Sequence, residues 1–323
     1  MHHATSESRE IDWVNTIFIA FAHVVALGAV IYSLIVGVKW ENIALAVFYF
    51  LAAGLSITGG YHRLFSHKTY RAAWPLRLFY LLFGAAGVQN SVINWSSDHR
   101  RHHADTDHDE DPYNARKGFW WSHVGWVLFK DRLRNLDNAG DLFKDPLVAF
   151  QHKYYVPLAV LMVAVVPATI GLAWGDPLGA FLWAGMIRLV FQYHSTFSIN
   201  SLAHMFGRKP YNKAISARDN GIVALITLGE GYHNFHHQFP GDYRNGVRAW
   251  HFDPTKWIVK TFSWVGITRD LRKVSQQTID RAKLQTNNAI AQANSAIADA
   301  KTSIADAKTS ITTPPQNPSN VSS

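Results

Sequence analysis

The chain has no cysteine. That absence excludes disulfides, iron–sulfur clusters and thiolate zinc sites, so any metal or redox chemistry must rest on histidine or carboxylate ligands. Charge is missing from long stretches too. No charged residue interrupts residues 13–38, and this run is too long for the apolar core of a signal peptide. Roughly 20 apolar residues cross a bilayer core, so the run reads as a transmembrane helix. A second uncharged run, 42–61, follows after a very short connection, and a third covers 154–175. A fourth, 178–204, carries Arg188 as its one charge, a residue expected to face the protein interior or a cavity. The mean hydropathy of −0.06 hides these runs behind the polar segments between them.

Basic residues are nearly absent from the connections 39–41 and 175–177. They gather in 62–153 and after His204. By the positive-inside rule both long segments and both termini are cytoplasmic. The expectation is an all-α integral membrane protein: four transmembrane helices (about 13–38, 42–61, 154–175 and 178–200) in two hairpins under a cytoplasmic helical cap. The net charge of +8 follows membrane sidedness rather than a nucleic-acid-binding module, so no nucleic-acid partner is expected. Residues 74–95 are apolar enough for a fifth span. A crossing there would put His62 and His67 on the opposite side from His99, His102 and His103, so the segment is read as an interfacial or cap helix. Residues 254–267, with Trp257, Lys260 and Trp264, are read as interfacial as well.

These features define a membrane unit over 1–274 and a polar, low-complexity tail over 275–323. Within the tail, Ile290, Ile297, Ile304 and Ile311 fall at one heptad position, with Ala293, Ala300 and Ala307 three residues later. Three heptads of Ile and Ala bury little, so the tail is expected to be solvated and partly helical. Weak self-association through the seam is the alternative.

What the chain has in abundance is histidine, seventeen in all. Nine sit at ligand-like spacings: His62 and His67 in HRLFSH, His99, His102 and His103 in HRRHH, His204 in NSLAH, and His233, His236 and His237 in HNFHH. The HxxHH spacing puts three rings on one helix face. Nine imidazoles exceed what one ion can use, so two metals are expected. His23, His152 and His194 read as packing residues, and His2, His3, His108, His123 and His251 lack ligand spacing. His62 and His67 lie about 140° apart on an α-helix. They can converge only if the helix ends between them; otherwise they serve different metals. Asn200 lies one turn before His204, placed to ligate directly or to hold a metal-bound water. Candidates to orient the rings through their free N–H are Asp98, Asp105, Asp107, Asp109, Glu110, Asp111 and Glu230.

Four segments, HRLFSH, HRRHHADTDHDEDPYNARKGFWWSHVGW, NSLAH and GEGYHNFHHQFPGDYRNG, closely resemble the membrane-bound fatty-acyl desaturases, specifically the Δ9, stearoyl-CoA desaturase-like group. The resemblance runs from about Ile11 to Val274. It implies a non-haem di-iron site, two Fe(2+) held by the nine histidines, with a water held by Asn200. It also implies O2-dependent removal of two hydrogens from a saturated fatty-acyl chain, an acyl-CoA or acyl-lipid, at C9–C10 to give a cis double bond. In such enzymes a Gln, a Trp and a Thr shape the substrate kink, and the matching positions are Gln89, Trp95 and Thr196. Phe50 and Gly54, twelve and eight residues before His62, are the candidates to cap the acyl chain.

Two departures qualify the resemblance. Ser96–Ser97 precede Asp98 where many members carry an arginine, and the tail has no haem-binding HPGG motif. Electrons are therefore expected from a separate donor, cytochrome b5 or a ferredoxin, steered by the basic cytoplasmic face. The host membrane would be the endoplasmic reticulum in a eukaryote or the inner membrane in a bacterium. A membrane di-iron hydroxylase or alkane monooxygenase is the alternative within enzymes, disfavoured by NSLAH and HNFHHQFPGDYRNG. A non-oxidative zinc membrane protein is the alternative from another class, but zinc takes three or four ligands and nine histidines fit it poorly.

Overall fold

The computed structural model describes residues 10–312. His2, His3 and the terminal stretch 313–323 lie outside it, and so does the side chain of Ile311. The main helices are α1 (Trp13–Val36), α2 (Trp40–Ser66), α3 (Trp74–Ala86), α4 (Val92–Ala104), α5 (Tyr155–Trp174), α6 (177–200), α7 (His233–Gln238), α8 (Pro254–Trp264) and α9 (Gln276–Thr312). Strand is confined, among the described residues, to isolated bridges and one two-residue antiparallel pair, β1 (Arg71–Ala72) with β2 (Thr268–Arg269).

Three helices, α1, α2 and α5, are long and apolar enough to cross a membrane. In α1 the buried residues are Ala22, Ala26 and Ala29, a small-residue stripe against which neighbours pack closely. Its large side chains point outward: Val14, Leu34 and Ile35 are about four-fifths exposed. An apolar surface of that extent needs lipid or a partner to cover it. α6 has 24 residues, and hence a length of about 36 Å, but it carries more polar groups. Its Arg188 is buried and donates to the carbonyls of Ala86 and Ala184, each at 2.9 Å, with its guanidinium above the ring of Tyr49.

The α1–α2 and α5–α6 connections meet at one end of the molecule. There Asn42 Nδ2 donates to Asp176 Oδ2 (2.7 Å), Trp174 Nε1 donates to Asn42 Oδ1 (2.9 Å), and Lys39 Nζ donates to the Trp174 carbonyl (2.7 Å). All nine clustered histidines lie toward the opposite end, where α2 and α6 finish and Ile11 bridges Phe129.

The segment at 74–95 divides into α3, a turn, and the start of α4. At 13 residues α3 is only about 20 Å long, short of the roughly 30 Å bilayer core. It packs beside the last turns of α2. A Cβ on Gly60 would approach Tyr80 Cβ to 2.6 Å, and one on Gly84 would collide with the Tyr61 ring, so these two glycines let the helices touch. The core of the cap forms around this contact from Tyr61, Tyr70, Tyr80, Val92, Ile93, Val148 and Val259. α9 begins by burying Ile279 and Ala282 against Tyr211, Phe235 and Phe239. Further along it Ile297 and Ile304 are exposed.

Candidate metal centre

α2 changes its winding where it reaches the cap. From Ser56 to Ser66 it is a π-helix, and the His67 amide donates to the His62 carbonyl at 3.1 Å. At roughly 4.4 residues per turn, five residues leave an azimuthal gap of about 50°, against about 140° for α winding. The helix also stops at Ser66, one residue before His67. Both effects swing the two rings together, to a centroid separation of 5.0 Å. The α winding assumed from the sequence gives way to a π segment, the helix ends between the two histidines as one of the two expectations required, and His62 and His67 share one group.

The nine histidines form two groups. His62, His67, His99, His103 and His236 make one, and His102, His204, His233 and His237 make the other; within each, one ring nitrogen per residue lies within 4.8 Å of all the rest. α4 serves both groups, because its HRRHH turn sends His99 and His103 to the first and His102 to the second. α7 does likewise, with His236 in one and His233 and His237 in the other.

The spacing fits metal ligation. In the first group Nε2–Nε2 distances are 2.8 Å for His62–His236, 2.8 Å for His67–His99 and 2.9 Å for His103–His236. In the second they are 3.2 Å for His102–His237 and 3.1 Å for His233–His237. Two nitrogens each about 2.1 Å from one ion and 90° apart are separated by about 3.0 Å. His204 Nε2 is buried and has no protein partner, as a free ligand atom would. Burial, reinforced by neighbouring imidazoles, holds His67, His99, His103, His233, His236 and His237 well below the usual imidazole range. The same causes push His204 down to about 3. Neutral imidazole is the form a metal requires.

Several rings are fixed from behind. His62 Nδ1 faces Glu230 Oε2 at 2.9 Å, and His102 Nδ1 faces Asp111 Oδ1 at 2.8 Å. His204 Nδ1 meets Ser216 Oγ at 2.6 Å, and that hydroxyl in turn donates to Asp107. Thr106 Oγ1 donates to the His102 carbonyl and so can accept from His237 Nδ1 (3.3 Å). Each pairing puts the proton on Nδ1 and turns Nε2 toward the centre. Of the seven candidate carboxylates, Glu230 and Asp111 contact rings directly and Asp107 acts through Ser216. Asp98 instead pairs with Arg134 and Arg101. Asp105 caps α4, while Asp109 and Glu110 line the cavity described below. Ser216 lies in none of the quoted motifs, Thr106 lies inside HRRHHADTDHDEDPYNARKGFWWSHVGW, and neither was anticipated from the sequence. Nor was Arg63, buried between Glu230 (3.0 Å) and Asp253 (3.0 Å), although its place inside HRLFSH was a signal.

The histidines open onto one cavity of about 1420 Å³. His62, His99, His102 and His233 face it, together with Asn200 and all five residues singled out for the substrate: Phe50, Gly54, Gln89, Trp95 and Thr196. Gln89 Nε2 donates to Thr196 Oγ1 at 2.8 Å, joining two cavity walls, and the Trp95 ring stacks on His99 at 4.8 Å. Asn200, on the last turn of α6, is buried.

Residues 39–263 match the fatty acid desaturase family. Among curated proteins, the chain is 39% identical over 298 residues to stearoyl-CoA desaturase 5 of Homo sapiens, covering 89% of each chain. It is 47% identical over 243 residues to acyl-CoA desaturase 1 of Saccharomyces cerevisiae, which covers 74% of this chain and 48% of the yeast protein. It is 40% identical over 285 residues to a probable acyl-CoA desaturase of Schizosaccharomyces pombe, covering 87% of this chain and 59% of the relative. The chain thus spans about half the length of these two fungal relatives.

Proposed function

The chain belongs to the fatty acid desaturase family, and we propose that it converts a saturated fatty acyl-CoA to the cis-Δ9 monounsaturated product, using O2 and external electrons. The observation that carries this reading is the pair of histidine groups, one of five and one of four, opening onto a single cavity of about 1420 Å³. Two irons, bound by the five and the four histidines, would supply the O2 activation and electron transfer that an unactivated C–H bond demands. Nine nitrogen ligands and no thiolate suit that task, since a thiolate would itself be oxidised.

The protein's own share is positioning. Equivalent methylenes differ only in where they are held, so a cavity that fixes one pair beside the metal groups selects the bond. Trp95 braces His99 while lining the cavity, which couples ligand and substrate placement. The Gln89–Thr196 bond is read as the kink, and Asn200 as the holder of a water beside the four-histidine group. Phe50 and Gly54 are read as the cap over the methyl end.

The membrane reading is four spans, α1, α2, α5 and α6, with the histidines on the cytoplasmic side. Support comes from the hydrogen-bonded meeting of the two short connections at the far end, from the basic residues near the histidine end, and from the inward turn of Arg188. The donor would be cytochrome b5 or a ferredoxin. The tail is read as solvated and partly helical, with weak self-association through its Ile/Ala seam, where Ile297 and Ile304 are exposed, as the alternative.

Lipid analysis of a desaturase-deficient host tests the whole reading. Expression should yield new cis-9 monounsaturated chains, and His103→Ala should abolish them. Hydroxylated chains in their place, or saturated lipids alone beside a purified protein loaded with iron and supplied with donor, would overturn it.

A further inference from the structure

The cavity wall contains a polar group that a hydrocarbon chain cannot satisfy. Gln192, on α6, lines the same cavity as Asn200 and is only 3% exposed, yet its Oε1 has no hydrogen-bond partner. Its surroundings there are apolar: Phe50 and Leu228 line the same space, and a Cβ placed on Gly54 would lie 3.6 Å from Gln192 Nε2. An amide oxygen buried without a partner is costly, and a leucine would have filled the same volume without that cost. In a cavity made for apolar chains alone, a glutamine here is a liability.

We propose that Gln192 makes the end of the tunnel a hydrogen-bonding subsite, so that the protein accepts long-chain acyl thioesters bearing a hydroxyl at or next to the methyl end. This rests on the desaturase reading above and adds a substrate class to it. A hydroxyl is the matching group because it can donate to Oε1 and accept from the amide nitrogen together.

The position follows from two lengths. Gln192 precedes Asn200 by eight residues, which is about 12 Å along the helix. A saturated chain with C–C bonds of about 1.5 Å advances about 1.3 Å per carbon, so about nine carbons span the gap. With carbons 9 and 10 beside the metal groups near Asn200 and the chain bending past Thr196, Gln192 lies opposite the last few carbons of an 18-carbon chain. Gln192, Thr196 and Asn200 then form a polar line, one helical turn apart, beneath the distal half of the chain. Thr196 is already bonded to Gln89, whose own Oε1 is also without a partner. Gln89 sits on the wall shared with Thr196, and Gln192 is the orphaned amide one turn farther along α6.

The test uses the full chain in membranes with its electron donor. The substrates are stearoyl-CoA and its 13-, 17- and 18-hydroxy derivatives, compared by kcat/KM for double-bond formation. In the native protein a 17- or 18-hydroxyl should be favoured over a 13-hydroxyl by about tenfold or more, because only the distal hydroxyl meets a partner. Gln192→Leu should raise turnover of stearoyl-CoA relative to the distal hydroxy substrates by about tenfold. Gln192→Met serves the same comparison should the leucine variant not fold, and the positional series in the native protein needs no variant.

Equal ratios in native and variant proteins, or no preference among hydroxyl positions, would overturn the proposal and assign the amide to a trapped water. Turnover of stearoyl-CoA reports separately on the desaturase reading. With that turnover intact, a flat hydroxyl series removes the subsite alone; without turnover of any of these thioesters, both fail.

Discussion

Glu230 offers a sharp test of the metal centre, because replacing it should empty one histidine group and spare the other. Its carboxylate is buried among His62 Nδ1 (2.9 Å), Arg63 Nη2 (3.0 Å) and Asn245 Nδ2 (2.6 Å). Burial alone would raise its pKa, but the adjacent His62 and Arg63 outweigh that and hold it below the ordinary glutamate range. Glu230→Gln keeps the shape and an acceptor while removing the charge. Arg63 is not orphaned by the change, since Asp253 and the Tyr243 carbonyl still bind it. Glu230→Ala would be a poorer choice, because breaking a buried pair costs about 3–5 kcal/mol and would blur metal loss with unfolding. Loss of such a supporting carboxylate weakens metal binding about 10–100-fold, or about 1.4–2.7 kcal/mol. Since His62 belongs to the five-histidine group, Glu230→Gln should lower the iron-to-protein ratio from two toward one along a chelator titration. Asp111→Asn, acting on His102, should deplete the four-histidine group by the same logic. The double variant should lose both ions. Element analysis across the titration is the assay, with circular dichroism to confirm folding. Native-like retention of both ions by folded Glu230→Gln at every chelator concentration would refute the argument that this carboxylate sets the basicity of His62.

Three further outcomes follow from the same geometry. Ser216→Ala removes the hydroxyl that holds His204 Nδ1 and should weaken the four-histidine group about tenfold in the same titration, with the five-histidine group unchanged. Gly54→Leu must displace Leu228, whose Cδ1 would lie 2.5 Å from even a Cβ, or fill the cavity; product profiles should shift toward chains shorter by roughly two to four carbons, the volume a leucine side chain takes from the chain, and an unchanged profile would remove Gly54 from the cap. Asp219, half-buried and accepting from the Phe235 amide, is pushed up to about 7 by desolvation of its carboxylate against a usual value of 3.8. Its neutral form is favoured by folding, so its contribution is fully present below pH 3.8, falls as pH rises, and is lost above about 7; the difference in thermal midpoint between the native protein and Asp219→Asn should grow in the variant's favour across that window, and a constant difference would count against it.

How far the site could be read in advance depended on whether the information was local. HRRHH and HNFHH mark their histidines as candidate ligands on sight, because imidazoles at i, i+3 and i+4 have few other uses together; HRLFSH and NSLAH lack that spacing and rest on the resemblance. The division into five and four was not readable, since α4 and α7 each send neighbouring histidines to different groups, and that depends on how the two helices cross. Ser216 was invisible for a related reason: a serine twelve residues beyond His204 has no pattern until the chain folds back on it. Gln192 was passed over because a lone glutamine in an apolar run reads as a blemish, and only the cavity shows that its amide lacks a partner.

The π segment of α2 makes the deeper point. Reading His62 and His67 on a 3.6-residue period put them on different faces, and the motif was then explicable only by a helix end or by separate metals. Local composition did not announce the change of winding. What favours it is tertiary: Gly60 presses on Tyr80, Gly84 of α3 presses on Tyr61, and Arg63 is drawn to Glu230 and Asp253. A helix held at so many points along one turn can meet them all by widening. The five-residue interval between the two histidines then matches the i to i+5 hydrogen bond that joins them. On this account the interval and the π winding depend on each other. Inserting or deleting one residue between His62 and His67 should therefore cost an iron even if every histidine is kept, and an altered interval that still bound two ions would show that the winding is incidental.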